Sequence, residues 1–582
     1  MNWKYRYHSP IDKQNKETDT IFMIKKLAIG AFTLLPAIYS CQSHTDAEVD
    51  IAVCCITDFH AAFVADENRD LYGVGSLLHT LDSLKAVYPH HIVISAGDNF
   101  GGSYFYKVTN GATMPIFLEE ADIHISALGN HEFDEGQEKL AQKWSAQNNN
   151  VPCSITYLSA NLRDTLGRIP HFAKAYAINE IKLSDTKSFT LSLIGISTAS
   201  TPQQTSLKHV KDLHFDAEYK SVIDSLISTP EYSNIAPSID ACFMVGHLGA
   251  EWKNSKPEWK DVSTSQLLDI DKKSVDGIFT GHTHDTLTAY INKDKLPIIQ
   301  AGCNGAYIGV MKIKFDTIRN VITSITPELC AVRNTPNTSY RTQQTIEALL
   351  DTTYVGGRPL NEQLCTIKTE MPHNRSLCYG FSEVADIVCA SYAAAYTSKR
   401  SEKIPVIGMS HYGSIRASLY PGILSVLKAG EILPFANNLR AYRYSGKELK
   451  ELATFGLNNK KFGWLQTHEL TFECTVIDEN LNVNKVYHTT SNGTTKEIKD
   501  TDECIIVVDD YMTTGGDGYA PSFLTKRKEV RITLPTTTTA FFNYLKETAS
   551  FESDPERMKK IFIDGNACRT LEEISNLTSK QQ

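Results

Sequence analysis

A chain of 582 residues is too long to fold around one hydrophobic core, so two large domains with appendages are expected. Its hydrophobic share of 42% is ordinary for a globular protein and supplies enough apolar surface to bury. The formal net charge of −9, with no basic run long enough to track a phosphate backbone, argues against a nucleic-acid polymer as partner.

In chain order, residues 1–22 are polar and without pattern, which points to Met23 as the start of translation. Met23-Ile24-Lys25-Lys26 and the apolar run Leu27 to Tyr39 then form a basic region and a hydrophobic region too short to span a bilayer. Ending in Ile38-Tyr39-Ser40-Cys41, residues 1–41 resemble a bacterial lipoprotein signal with Cys41 as the lipidation site. Tyr39 departs from that pattern, being bulky where small residues are preferred. The resemblance implies an exported body, periplasmic or on the outer surface, held to a membrane by an N-terminal lipid anchor, with residues 42–49 as a polar tether.

From residue 50 to 330 the chain repeats one device. Apolar, β-branched runs such as Ile51–Ile56, His91–Ser95, Ile123–Leu128, Ala241–Val245 and Gly277–Phe279 read as buried strands. Each ends in a polar cluster: Asp58-Phe59-His60, Gly97-Asp98-Asn99, Gly129-Asn130-His131-Glu132, Gly246-His247 and Gly281-His282-Thr283-His284. Sites of α/β sheets lie at the carboxyl ends of strands. Val74, Leu77, Leu78, Leu81 and Leu84 recur at helical spacing, as a crossover helix between the first two strands requires.

Any one cluster alone is the solvated polar end of a strand or a turn. Together they supply a ligand set for two divalent ions, which need one shared carboxylate, with imidazoles and further oxygens completing each shell. Asp98, alone behind a glycine, is assigned as the bridge, with Asp58, His60 and His284 on one ion and Asn130, His247 and His282 on the other. Zn, Mn, Co or Mg would serve. His131 is left over as an imidazole beside the ions, suited to stabilising a transition state or leaving oxygen, and Asp134 is placed to orient it.

In this order the clusters resemble the calcineurin-like metallophosphoesterases, and more narrowly the bacterial periplasmic 5′-nucleotidases and UDP-sugar hydrolases. Leu158-Ser159-Ala160-Asn161 and Pro297-Ile298-Ile299-Gln300-Ala301-Gly302 resemble strands of that family. The resemblance implies an α/β fold, a four-layer α/β/β/α sandwich followed by a second α/β nucleotide-binding domain at 366–545. Gly413-Ser414-Ile415-Arg416, Leu433-Pro434-Phe435-Ala436-Asn437-Asn438 and Gly515-Gly516-Asp517-Gly518-Tyr519 carry it in the second half. By resemblance, Phe435 and Tyr511 would sandwich a nucleobase, Asn437 and Asp517 would hydrogen-bond the nucleoside, and Arg416 and Arg375 would hold phosphate. The family often carries a further arginine four residues after Arg375, where this chain has Tyr379.

Residues 331–365 read as linker and hinge, rich in turn formers and with a short helix from Thr345 to Leu350; residues 546–582 read as a charged C-terminal tail. Val384, Ile387, Val388 and Ser391 mark the helix that opens the second domain. The 13 cysteines include no Cys-x-x-Cys pair, and Cys54, Cys55, Cys242 and Cys389 lie in apolar runs that favour buried free thiols. The function expected is metal-dependent hydrolysis of a nucleoside 5′-monophosphate by a monomer, the alternatives being a UDP-sugar, a 2′,3′-cyclic nucleotide, or non-catalytic nucleotide capture at the surface. A binder has no need of a second-metal set plus His131 and Asp134.

Overall fold

The computed structural model describes residues 48–143, 155–253, 256–258, 270–291, 293–335, 339–373, 380–459, 463–490, 493–519 and 528–579. Cys41, the signal region, Arg375 and Tyr379 lie outside the described residues.

The first strand shows why the sequence builds a sandwich. Within Glu48–Ile56, alternate residues Ile51, Val53 and Cys55 enter one core and Ala52, Cys54 and Ile56 another. Successive side chains of a strand point to opposite faces, so a strand covered on both faces must be apolar throughout. It pairs in parallel with His90–Ser95 and antiparallel with Tyr307–Asp316. The resulting seven-stranded sheet runs in the order Val321–Ala331, Tyr307–Asp316, Glu48–Ile56, His90–Ser95, Ile123–Ala127, Thr156–Leu158, Ala173–Lys174.

A six-stranded sheet faces it, ordered Thr286–Ile291, Leu296–Ala301, Gly277–Thr280, Ala241–His247, Ser188–Ser197, Tyr176–Lys182. Phe189, Leu191, Leu193, Phe243, Phe279 and Ile299 meet Ile51, Val53 and Ile94 between the sheets. On the outer face of the first sheet, helix Gly73–Val87 buries Val74, Leu77, Leu78 and Leu81 as its periodicity requires. On the outer face of the second, Tyr219, Ile223 and Tyr232 come from the helices Tyr219–Ile227 and Pro230–Ile235. The expected four layers are present.

The segment expected as linker and hinge contains a helix, Arg341–Thr352, docked on the first domain. Glu120 accepts the backbone N–H groups of Arg341 and Thr342, each at 2.8 Å, and the Tyr340 hydroxyl donates to Asp82 at 2.6 Å. Glu120 satisfies two of the helix's orphaned first-turn donors, and the Tyr340–Asp82 bond pins its entry, which makes a longer ordered helix than composition suggests.

The second domain holds two five-stranded sheets, one ordered Leu465–Thr467, Val406–His411, Glu503–Asp509, Leu439–Ser445, Lys528–Glu529 and one ordered Thr495–Ile498, Asn480–Thr489, Leu470–Ile477, Ile561–Ile563, Asn566–Cys568. Helix Glu383–Thr397 packs on the first through Val384, Val388 and Tyr392. The last two strands of the second sheet correct the expectation of a tail. Met558, Ile561, Ile563, Cys568 and Ile574 are buried in the domain's core, a pattern too short and interrupted to register in a charged stretch.

The same C-terminal strand delivers a buried ion pair. Lys560 Nζ donates to Asp386 Oδ1 and to the Thr467 carbonyl, both at 2.5 Å, and His468 Nδ1 lies 2.9 Å from Asp386 Oδ2. Burial would raise the Asp386 carboxyl, but Lys560 and His468 outweigh it and hold it well below the usual range. A depressed carboxyl stabilises the fold above its ordinary titration range and loses that contribution as pH falls toward its folded value. Lys560→Met removes the closest cation and leaves the buried carboxylate to His468 and to Arg557 at 3.5 Å, and is expected to cost about 3 kcal/mol in urea unfolding, with acid unfolding moved to higher pH. An unchanged urea midpoint would show the pair to be dispensable.

Candidate metal centre

The polar clusters fall where the strands end, on loops whose backbone is strained. Asp58 and His60 (φ 50° each), Asp98 (φ 53°), His282 (φ 91°) and His284 (φ 63°) all occupy the left-handed region, which costs a non-glycine residue about 1–3 kcal/mol. Neighbouring loops hold them there. Asp58, His60 and Ala61 N–H groups donate to the carbonyls of Gly97, Asp98 and Asn99, each at 3.0 Å. Gly129 and Gly281 lie so close to Asp98 and to Thr57 and Asp58 that neither has room for a Cβ.

Glu132, to which the sequence reading gave no role, locks these loops together. Its buried carboxylate accepts from the backbone N–H of Asp98 (2.9 Å), Asn99 (2.8 Å) and Gly129 (2.7 Å). Burial, reinforced by Asp98, pushes its carboxyl up to about 7. An acidic residue beside a histidine cluster gives no sign that it will bind backbone 33 residues away; only the crossing of the loops reveals it.

Six of the seven expected donors, on Asp58, His60, Asp98, His247, His282 and His284, converge. His247 Nε2 is 3.0 Å from Asp98 Oδ2 and 3.8 Å from Asp58 Oδ1; His284 Nε2 is 3.4 Å from Asp58 Oδ1; His60 Nε2 is 2.9 Å from His284 Nε2 and 4.0 Å from Asp98 Oδ2. Three groups have donor atoms within 4.8 Å of one another: Asp58, His60 and His284; Asp98, His247 and His282; and His60, Asp98 and His131. Asp98 and His60 each belong to two of them, and Asp98 is the carboxylate of the pair. Asn130 Oδ1 is buried and has no protein partner, an orphan that native interiors seldom tolerate. Hard carboxylate and amide oxygens with borderline imidazoles suit a pair of divalent cations, so the donor set fits the metals expected.

The ionisable groups respond to one another. Burial would raise Asp58, yet His247 and His284 bring it down to about 2; Asp98 is likewise held well below its usual range by His247 and His131 against burial. Burial and the neighbouring His284 and His131 bring His60 down to about 3, whereas burial of His247 is outweighed by Asp98 and Asp58, which raise it to about 9.

His131 sits beside this set. Its Nδ1 is 2.6 Å from Asp134 Oδ2, its backbone N–H donates to Asp98 Oδ1 at 2.8 Å, and Thr205 Oγ1 donates to the other Asp134 oxygen at 3.4 Å. Burial would lower the imidazole, but Asp98 and Asp134 raise it to about 9. With Nδ1 engaged by the carboxylate, Nε2 is the atom left to face the centre. Gln204 Nε2 lies 3.1 Å from His282 Nε2 and holds that ring from outside.

In the second domain the expected residues form two groups. Arg416, whose Nη1 donates to the Gly413 carbonyl at 3.3 Å, stands 5.7 Å from the centroid of the Phe435 ring. Asn437 is half-buried in the same turn, its carbonyl accepting from Thr537 at 2.8 Å. Asp517, at φ 47°, pairs with His411 Nδ1 at 2.8 Å, and the His411 ring lies 5.6 Å from that of Tyr511. His411 keeps the Asp517 carboxyl low, and Arg416 adds to that effect. Phe435 and Tyr511 are 41% and 43% exposed, unusual for aromatics in a folded domain. His411 was missed because its strand reads as plain core until the turn at 515–518 folds over it.

Two family models match the chain: the calcineurin-like phosphoesterase model over residues 51–286 and the 5′-nucleotidase C-terminal domain model over residues 364–524. The 5′-nucleotidase of Diplobatis ommata is 25% identical over 318 residues, 50% of this chain and 50% of that protein, so the match spans about half of that relative's length. A Listeria monocytogenes protein described as cell wall protein Lmo0130 is 23% identical, covering 92% of this chain and 72% of its own. The structure of a 5′-nucleotidase precursor from Thermus thermophilus superposes with a TM-score of 0.55 at 19% identity, covering 88% of this chain and 99% of that one, which shows a shared fold.

Proposed function

The chain belongs to the 5′-nucleotidase family, a calcineurin-like phosphoesterase joined to a 5′-nucleotidase C-terminal domain, and from that premise we propose that it hydrolyses nucleoside 5′-monophosphates to nucleoside and phosphate outside the cytoplasm. One observation carries the reading. Two buried carboxylates and four imidazoles meet at strand ends drawn from both sheets of the sandwich, and a buried, partnerless amide oxygen, on Asn130, lies next to the backbone that bonds Asp98.

Asp58, His60 and His284 would hold one divalent ion, Asn130, His247 and His282 the other, and Asp98 would contribute to both. When bound, such ions lower the pKa of water and neutralise charge on a phosphoryl group. Glu132 keeps the Asp98 and Gly129 loops in register. His131, held by Asp134, presents Nε2 to the phosphoryl oxygens and supports charge as the P–O bond to the nucleoside breaks. Arg416 and Arg375 hold the phosphate; Phe435 and Tyr511 take the base between them, with Asn437 and Asp517 bonding the nucleoside.

Export is supported by the signal-like residues 23–41 ending at Cys41, and by a relative described as a cell wall protein. A lipid on Cys41 would tether the enzyme where it meets nucleotides from outside.

The clamp is the discriminating part. Stacking contributes about 1–3 kcal/mol per base in comparable sites. Phe435→Ala with Tyr511→Ala is therefore expected to lower kcat/KM on AMP and UMP by roughly 10²-fold or more. p-Nitrophenyl phosphate, with a small ring and the same phosphoryl chemistry, should lose far less. Equal losses on all three, or preferential turnover of UDP-sugars or 2′,3′-cyclic nucleotides in the wild type, would overturn the assignment.

A further inference from the structure

Residues 99–108 leave the Asp98 loop and run through the centre to the second domain. The Asn99 N–H is held by Glu132 Oε1 at 2.8 Å. Gly101 and Gly102 follow with φ of 69° and 80°; a Cβ on either would come within 2.8 Å of Asp134 Oδ2 or of His60 Cβ. Only glycine fits so near those side chains. Ser103 Oγ donates to the Ala61 carbonyl at 2.9 Å and accepts from Tyr106 N–H at 3.1 Å, capping helix Tyr104–Val108.

The far side of this helix meets helix Val426–Ile432. The Tyr104 ring lies against Gly430, where a Cβ has no room. One turn on, Lys107 Nζ donates to the Pro434 carbonyl at 2.8 Å and stands 5.3 Å from the Phe435 ring centroid. Among the described residues no carboxylate acts on it, and burial alone lowers its ammonium. A cation that bonds a carbonyl and stands over an aromatic ring is held by both. The turn that carries Phe435 is thus fastened to the segment that issues from Asp98, across 327 residues of sequence.

We infer that Lys107 is a positioning residue for the nucleotide, by which the metal-bearing domain fixes the Pro434–Phe435 turn at a set distance from the metals. This role rests on the nucleotidase reading above. Phe435 can stack a base anywhere its turn wanders, but only one placement brings the phosphate to the ions. A small displacement of a positioning group is enough to lower turnover steeply.

Lys107→Met and Lys107→Arg, assayed beside wild type on AMP and on p-nitrophenyl phosphate, test it. In Lys107→Met, kcat/KM on AMP is expected to fall about tenfold or more, mainly through kcat, with the melting temperature and generic-ester kinetics held at wild-type values. Lys107→Arg, which keeps the charge and donors, should restore most of the loss. A lower KM on AMP would make Lys107 a cover over Phe435 and overturn the inference, as would equal losses on both substrates or no change at all. A wild-type enzyme that cleaves the generic ester but no nucleotide would refute the nucleotidase reading itself.

Discussion

Asp98→Ala is expected to lose both metal ions and with them all measurable hydrolysis, while His60→Ala and His284→Ala lose mainly one ion. The asymmetry follows from geometry. Asp98 shares a group with His60 on one side and with His247 and His282 on the other, whereas His284 is grouped with Asp58 and His60 alone. Removing a shared carboxylate leaves each remaining shell short of an anion, and buried positive charge without one is unfavourable by several kcal/mol per ion on the usual scale. Chelation of the wild type should reproduce the Asp98→Ala phenotype. Elemental analysis of the purified variants decides the matter: two ions per chain in Asp98→Ala would remove Asp98 from the shared position and direct attention to Asp58, whose Oδ1 lies 3.4 Å from His284 and 3.8 Å from His247.

His131→Asn is expected to keep both ions and to lower turnover by about 10²-fold or more, the scale of a positioned acid or base. The structure makes this a real contest, because His131 also lies within donor distance of His60 and Asp98. A carboxylate on Nδ1 is found behind catalytic and metal-binding imidazoles alike. Metal content separates the two roles. Asp134→Asn should keep the ions as well and lose less than His131→Asn, since it frees the ring without removing it. Loss of an ion from His131→Asn would make His131 a ligand and leave the reaction without this group.

What the sequence disclosed follows from how locally each feature is encoded. Strand and donor lie within two or three residues of one another in Ile56 to Asp58 or Val245 to His247, so a linear reading finds both. Glu132 was invisible because its partners are backbone groups on another loop. Lys107 on the Pro434 carbonyl and Lys560 on Asp386 join positions 327 and 174 residues apart, and no spacing rule reaches that far. Residues 546–582 misled by composition: charged residues flank short strands whose few apolar positions suffice to complete a sheet. The helix at Arg341–Thr352 was read as shorter and as part of a hinge, because its capping carboxylate, Glu120, sits in the first domain.

The ligand set is divided unevenly between the two sheets. Every oxygen donor, on Asp58, Asp98 and Asn130, follows a strand of the first sheet, whereas His247, His282 and His284, all imidazoles, follow strands of the second. Neither sheet alone can complete a site, so ion capture must await the closing of one sheet upon the other, and bound ions then rivet the layers together. Stripping the ions should therefore lower the melting temperature of the sandwich in the same step that abolishes turnover, although the apolar layer between the sheets remains.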